Sequence, residues 1–301
     1  MDTNMGKQPK TGEKTFGEIF KGVHGYNAPY KKMKADLSGR VAFITGGSGM
    51  VGGESAALMA ASGAAVVLCD VWDGPGQERA EAINDAGGKA VYLHVNVTDE
   101  AALKEAVEKT AAEFGQIDIL MCNAGPNFGN RMPIAEFDDS ALQPTVDGCL
   151  MHTYHLCRLV LPYMIRQGKG SIINTTSVCG VTGLRRQCPF IFSKFAISAL
   201  TRSMALEYGK YNIRVNAIAP GSLPRPTTPL NFLWDTCDFE NYESNFSNPS
   251  TMLFDIPMRR PAAPQDMAGL VLLFASDDAG YLTGQVVCVD GGWTAGYSGD
   301  Y

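Results

Sequence analysis

From Arg40 onward, short apolar runs rich in β-branched residues alternate with longer stretches whose apolar positions recur at helical spacing. The runs at 41–45, 65–70, 90–95, 117–122, 171–175, 214–219 and 285–289 read as strands. Between them the spacing predicts helices over about 52–62, 77–86, 99–114, 145–167, 190–209 and 264–275. Strands that are apolar on both faces and separated by helices belong to a parallel sheet covered on each side. The pattern therefore predicts an α/β fold: one doubly wound domain, residues 39–295, around a seven-stranded parallel sheet.

Three segments stand outside that rhythm. Residues 1–38 carry seven lysines and a weak apolar cluster at Phe16, Ile19 and Phe20. They read either as an N-terminal extension wrapping the domain or a partner subunit, or as a disordered tail. Residues 222–258 interrupt the order between the sixth strand and the last helix, and connections this long tend to be functional. This insertion is rich in aromatics, with Phe232, Trp234, Phe239, Tyr242, Phe246 and Phe254, and reads as a lid over a broad apolar pocket or as packing against another subunit. Residues 296–301 form a C-terminal tail.

Composition narrows the function classes. The length of 301 residues leaves room for two domains, but the ordered elements use it as one. No apolar run approaches the ~18 residues of a membrane span, so no membrane partner is expected. With 25 basic against 31 acidic residues and a net charge of −6, a nucleic-acid surface has no support. The eight cysteines include no CxxC pair and form no zinc pattern with the four histidines, so no metal is expected. Several lie in apolar runs, where a thiol acts as a small hydrophobe. The polar, lysine-rich start lacks the apolar stretch of a secretory signal, and a cytoplasmic location is expected.

The first strand runs into Thr45-Gly46-Gly47-Ser48-Gly49-Met50-Val51-Gly52, in which Gly47, Gly49 and Gly52 form a GxGxxG opening a helix. Glycines there allow a tight turn and a close approach of backbone to a pyrophosphate, at which the helix N-terminal amides point. Asp70 ends the second strand, 23 positions after Gly47. A carboxylate at that place accepts from ribose hydroxyls and repels a 2′-phosphate, and no arginine follows closely, so NAD is favoured over NADP.

With these motifs the chain resembles the classical short-chain dehydrogenase/reductase family over roughly 40–295, and the resemblance implies a Rossmann-type fold. The family's TGxxxGxG falls on Thr45-Gly46 through Met50 and Gly52, with Met50 departing from a small residue. Its adenine-contacting pair falls on Asn96-Val97, its Asn-Ala-Gly on Asn123-Ala124-Gly125, and its Pro-Gly on Pro220-Gly221. The segments 282–285 and 289–292 resemble its closing motifs. The resemblance implies NAD(H) contacts at Gly46, Ser48, Gly49, Met50, Gly52, Asp70, Asn96, Val97, Asn123, Ala124, Gly125, Lys194, Pro220, Gly221 and Leu223.

Family chemistry uses a serine to polarise the substrate carbonyl, a tyrosine as general acid/base, a lysine four residues on, and an asparagine relay. Here the serine is Ser177 and the lysine Lys194; Phe190 stands at the tyrosine position and Cys149 at the asparagine position. Phe190 admits three readings: a Tyr→Phe variant of a working enzyme; an enzyme protonating through water or a neighbour such as His152, Tyr154 or Cys188; or an NAD-binding protein without turnover. Retention of Ser177 and Lys194 favours the first two. Cys149 reads as a packing residue rather than a nucleophile, with no adjacent base evident. The expected function is interconversion of a secondary alcohol and a ketone on a bulky cyclic or aromatic substrate of steroid or flavonoid size, impaired by Phe190. The helices at 145–167 and 190–209 resemble those through which family members form a homo-tetramer or homo-dimer.

Overall fold

The C-terminal ends of the strands decide where chemistry can occur, so the sheet comes first. The fold is that of a computed structural model, described over residues 35–125, 132–221, 223, 256–258 and 260–296. Its strands are β1 (Val41–Thr45), β2 (Ala65–Asp70), β3 (Lys89–His94), β4 (Ile119–Cys122), β5 (Gly170–Thr175), β6 (Ile213–Pro220) and β7 (Val286–Val289). They form one sheet in the order β3-β2-β1-β4-β5-β6-β7, with every neighbouring pair parallel. The chain winds outward from β1 to β3, then returns to lay β4 against β1. That reversal opens a crevice beyond the carboxyl ends of β1 and β4, where ligands of open α/β sheets bind.

The connecting helices are α1 (Met50–Ala61), α2 (Asp73–Asp85), α3 (Glu100–Phe114), α4 (Leu142–Val146), α5 (His152–Gln167), α6 (Cys188–Tyr208) and α7 (Pro264–Ala275). On one face Phe43, Leu120, Ile172 and Val215 pack against Leu103 of α3, Leu156 and Val160 of α5, and Met204 of α6. On the other face α1 and α7 pack together, and the buried Ser171 hydroxyl donates to the Phe274 carbonyl at 2.7 Å. Asp118 ties the amino end of the sheet. Its carboxylate accepts from the Val41 amide at 2.8 Å and pairs with Lys169 at 3.4 Å.

Most bounds fall within two residues of the sequence expectation, and two helices depart further. Helix α2 starts at Asp73, four residues before the expected 77, because a proline in the first turn has no intrahelical N–H to lose. Gly76 then lies so close to Tyr92 that a Cβ would fall 2.1 Å from its ring. The helix expected over 145–167 is broken by a π-helical turn, Asp147–Met151, between α4 and α5. Cys149 within the turn and His152 just after it are both buried. Among the described residues no helix is long and apolar enough to cross a membrane. Residues 1–34 and nearly all of the 222–258 insertion, including its six aromatics, lie outside the described residues.

Candidate active site

Many of the residues singled out along the chain follow or end a strand at the carboxyl edge of the sheet, while Phe190 and Lys194 come from α6 and Cys149 from the π-helical turn. Beyond β1, Gly46 has φ +67°, a conformation that L side chains rarely adopt. A Cβ on Gly52 would sit 2.3 Å from the Gly46 carbonyl, and one on Gly47 would sit 2.9 Å from Leu68 Cβ. The loop is therefore folded down closely onto α1 and β2. The first turn of α1 has neither a capping side chain nor an acid. Its amides are free to meet an anion.

Asp70, at the end of β2, accepts from the Ser48 amide at 3.0 Å and the Val71 amide at 2.8 Å. The loop and the acid are thus one unit. Beyond β4, Asn123 is held three ways. Its amide donates to Thr45 Oγ1 at 3.1 Å, its Nδ2 to the Gly46 carbonyl at 3.2 Å, and its Oδ1 accepts from Thr175 Oγ1 at 3.3 Å. Ala124 also donates to Thr45 Oγ1, at 3.3 Å. Asn96, after β3, is exposed, and its Oδ1 accepts from the Thr98 amide and hydroxyl at 3.1 and 2.9 Å. Val97 packs partly buried against the core. Beyond β6, Gly221 donates to the Val289 carbonyl at 2.9 Å, where a Cβ would fall 2.7 Å from Asp290 Cα. Leu223 is half-buried.

Lys194 lies on α6 with 3% of its surface exposed. Its Nζ donates to the Thr175 carbonyl at the tip of β5, at 2.8 Å, and lies 5.5 Å from the centroid of the Phe190 ring one turn earlier. A Cβ on Gly125 would meet Lys194 Nζ at 3.0 Å and Cys149 Sγ at 3.8 Å, so lysine, thiol and the loop after β4 share one corner. Ser177 Oγ accepts from the Cys179 amide at 3.2 Å, which leaves its hydrogen available for donation outward. Burial pushes the Lys194 ammonium down, and the Cys149 and Cys179 thiols offset this in part. Burial pushes the Cys149 thiol up, against a smaller opposing pull from Lys194.

A family profile described as enoyl-(acyl carrier protein) reductase matches residues 48–294. The chain belongs to the classical short-chain dehydrogenase/reductase family. It is 33% identical to cis-4-hydroxycyclohexanecarboxylate dehydrogenase of Sinomonas cyclohexanicum, covering 85% of this chain and 97% of that one. It is 34% identical to 3-alpha-(or 20-beta)-hydroxysteroid dehydrogenase of Mycobacterium bovis, covering 88% and 93%. The crystal structure of levodione reductase superposes with a TM-score of 0.78 at 32% identity, covering 86% and 99%. This short-chain dehydrogenase/reductase is accordingly an oxidoreductase of alcohols and ketones, with a nicotinamide cofactor of the NAD(P) type. The glycine cradle and the uncapped helix start fit a dinucleotide pyrophosphate.

Of the neighbours proposed as alternative proton donors, the structure separates three cases. His152 is 1% exposed, and neither ring nitrogen meets hydrogen-bond geometry with a partner. Burial, then the Lys194 charge, hold its pKa down at about 3, offset weakly by the nearby Gly148 and Cys149 carbonyls. Tyr154 points elsewhere: it stacks edge-on against His155 and lines an outer groove with Arg158, Leu161 and Leu200. Cys188 is the half-buried first residue of α6. Two contributors escaped the sequence reading. Thr45 Oγ1 locks the loops after β1 and β4, and the Thr175 carbonyl receives Lys194; the consecutive Thr175-Thr176 at a strand end was the available signal. Thr176 Oγ1 anchors the same helix by donating to the Lys194 carbonyl at 2.7 Å.

Proposed function

We propose that this chain interconverts a secondary alcohol and a ketone on a bulky cyclic or aromatic substrate, with NAD(H) as its cofactor. The observation that carries the reading is that Lys194, the Asn123–Gly125 loop and the carbonyl end of β5, two residues before Ser177, meet beside the glycine cradle. Ser177 would donate its hydroxyl hydrogen to the substrate oxygen, and Lys194 would hold the ribose of the cofactor, whose chemistry is hydride transfer. Asp70 supports NAD over NADP, since its carboxylate sits where a 2′-phosphate would bring further negative charge. The adenine end of the cofactor would pass Asn96 and Val97, and its nicotinamide end Pro220, Gly221 and Leu223. In this reading Phe190 takes the place of the family tyrosine and Cys149 that of the asparagine, so turnover is expected to be slowed by the loss of the phenolic hydroxyl.

Support for a cyclic substrate comes from the aromatic composition of the 222–258 insertion and from relatives named for cyclohexane and steroid alcohols. A homo-oligomer built on α5 and α6 is supported by an exposed apolar stripe on α6: Phe192, Phe195 and Leu206 at 46%, 41% and 87% exposure. Five cysteines buried among the described residues, Cys69, Cys122, Cys149, Cys157 and Cys179, support a reducing, cytoplasmic setting. The reading is tested by titrating NADH and NADPH against the full chain by fluorescence, then assaying cyclohexanone-type and steroid ketones. Preferential NADH binding and oxidation are expected. Equal use of NADPH contradicts the role given to Asp70, and binding without turnover returns the chain to a sensor.

A further inference from the structure

The phenylalanine at position 190 leaves the reaction without the family's hydroxyl proton carrier, and among the described residues four groups able to move a proton come to the corner around Lys194. The π-helical turn brings Cys149, α5 brings His152, the turn after β5 brings Cys179, and α6 brings Lys194 itself. Cys149 holds its proton more firmly than an ordinary thiol because it is buried. His152 is uncharged near neutral pH, so it has no imidazolium proton to give. Lys194 remains. Its ammonium carries three protons, of which the Thr175 carbonyl takes one at 2.8 Å. No carboxylate pairs with it among the described residues. The Gly125 backbone closes to packing distance on one side and the Phe190 ring face lies on another.

We infer that Lys194 is itself the general acid/base of the reaction, in place of the hydroxyl that Phe190 lacks. The inference rests on the oxidoreductase reading above and names its proton donor. In the reductive direction the carbonyl carbon receives hydride and its oxygen becomes an alkoxide held by Ser177. An Nζ–H bond of Lys194 breaks, an O–H bond forms on the alkoxide, and the electron pair stays on nitrogen as a neutral amine. Water then returns a proton to the amine and hydroxide leaves to the solvent. Oxidation runs the same steps backward, with the neutral amine taking the alcohol proton. A lysine can do this because desolvation weakens its hold on the proton. Burial drives that change here, and only two thiols oppose it.

The sign of the pH dependence follows. Ketone reduction needs the ammonium, so its rate falls as pH rises through the depressed Lys194 pKa; alcohol oxidation needs the amine and rises over the same window. Lysine side chains labelled with carbon-13 at Cε, followed by NMR in the full chain without ligand, give this pKa independently of turnover. One resonance is expected to titrate below all others and to vanish in Lys194→Arg or, where that variant does not fold, in Lys194→Met. The break in the reduction rate is expected at the same pH. Lys194→Arg keeps a charge but cannot release a proton, and is expected to bind NADH while losing about 100-fold in kcat. Adding Phe190→Tyr to that variant is expected to restore turnover. Titration of Lys194 together with the surface lysines, or a Lys194→Arg enzyme with kcat near the parent, overturns the assignment. Absence of ketone turnover in every variant, with NADH still bound, overturns the oxidoreductase reading and the assignment with it.

Discussion

Asp70 joins two tasks in one carboxylate, since its oxygens receive the amides of Ser48 and Val71 while its position at the end of β2 faces the proposed ribose site. Hydrogen bonds to a charged group are worth about 1.5–3 kcal/mol. Asp70→Ala is therefore expected to weaken NADH by roughly 10- to 100-fold and to narrow its advantage over NADPH, read by fluorescence titration. His152 makes a different kind of residue-scale prediction. Its folded pKa of about 3 lies below the usual value of 6.5, so below pH 6.5 the unfolded chain takes up a proton that the folded chain refuses. Its contribution to stability is present above pH 6.5 and is lost as pH falls toward 3, by up to about 1.4 kcal/mol per pH unit. Urea unfolding of His152→Gln between pH 7 and pH 4.5 is expected to show a shallower loss than the parent chain. Both residues were visible in the sequence to unequal degrees. Asp70 announced itself by ending an apolar run; His152 was expected near the site, three residues after Cys149, but its spacing did not signal that the imidazole is buried. It directly follows the π-helical turn, a local widening that helical periodicity does not encode.

At the scale of elements, the turn from β1 into α1 is set by close backbone contacts that only glycine permits. A Cβ at position 52 would lie 2.3 Å from the Gly46 carbonyl and 2.7 Å from Asn123 Nδ2, so the loops after β1 and β4 would have to separate. Gly52→Ala is expected to destabilise the chain by about 1–3 kcal/mol and to abolish measurable NADH binding. Calorimetry and titration read the two effects separately, and an unchanged thermal midpoint would contradict the packing argument. The sequence made this element legible because its glycine spacing has a steric cause. Strand extents were legible too: β1 and β2 lie at the expected residues, since their burial on both faces makes them continuously apolar. Helix α2 was misplaced by four residues because Gly74-Pro75 has the composition of a turn but serves here as a first helical turn. Helix α5 lost its first turns to the π segment for the reason given for His152.

The residues of the proposed site lie at the carboxyl edge of the sheet, and the proposed assembly would use the exposed face of α6. The stripe of Phe192, Phe195 and Leu206 runs along α6 beside the outer groove that Tyr154 and Leu200 line. A charged residue in a desolvated contact is costly. Leu206→Glu is expected to shift the chain toward monomer in sedimentation velocity; an unchanged mass would contradict assembly through α6. The doubly wound topology was readable from alternation alone, because a parallel sheet leaves no other economical way to cover both faces. Substrate size was readable only as composition, since the aromatics from Phe232 to Phe254 lie outside the described residues. The central claim is redox turnover on a cyclic carbonyl, and isotope transfer addresses it most directly. The full chain would be incubated with NADH deuterated at the nicotinamide C4 position and a substituted cyclohexanone, and the product alcohol examined by mass spectrometry. Deuterium on the carbinol carbon is the predicted result; NADH binding without deuterium in any product would contradict it.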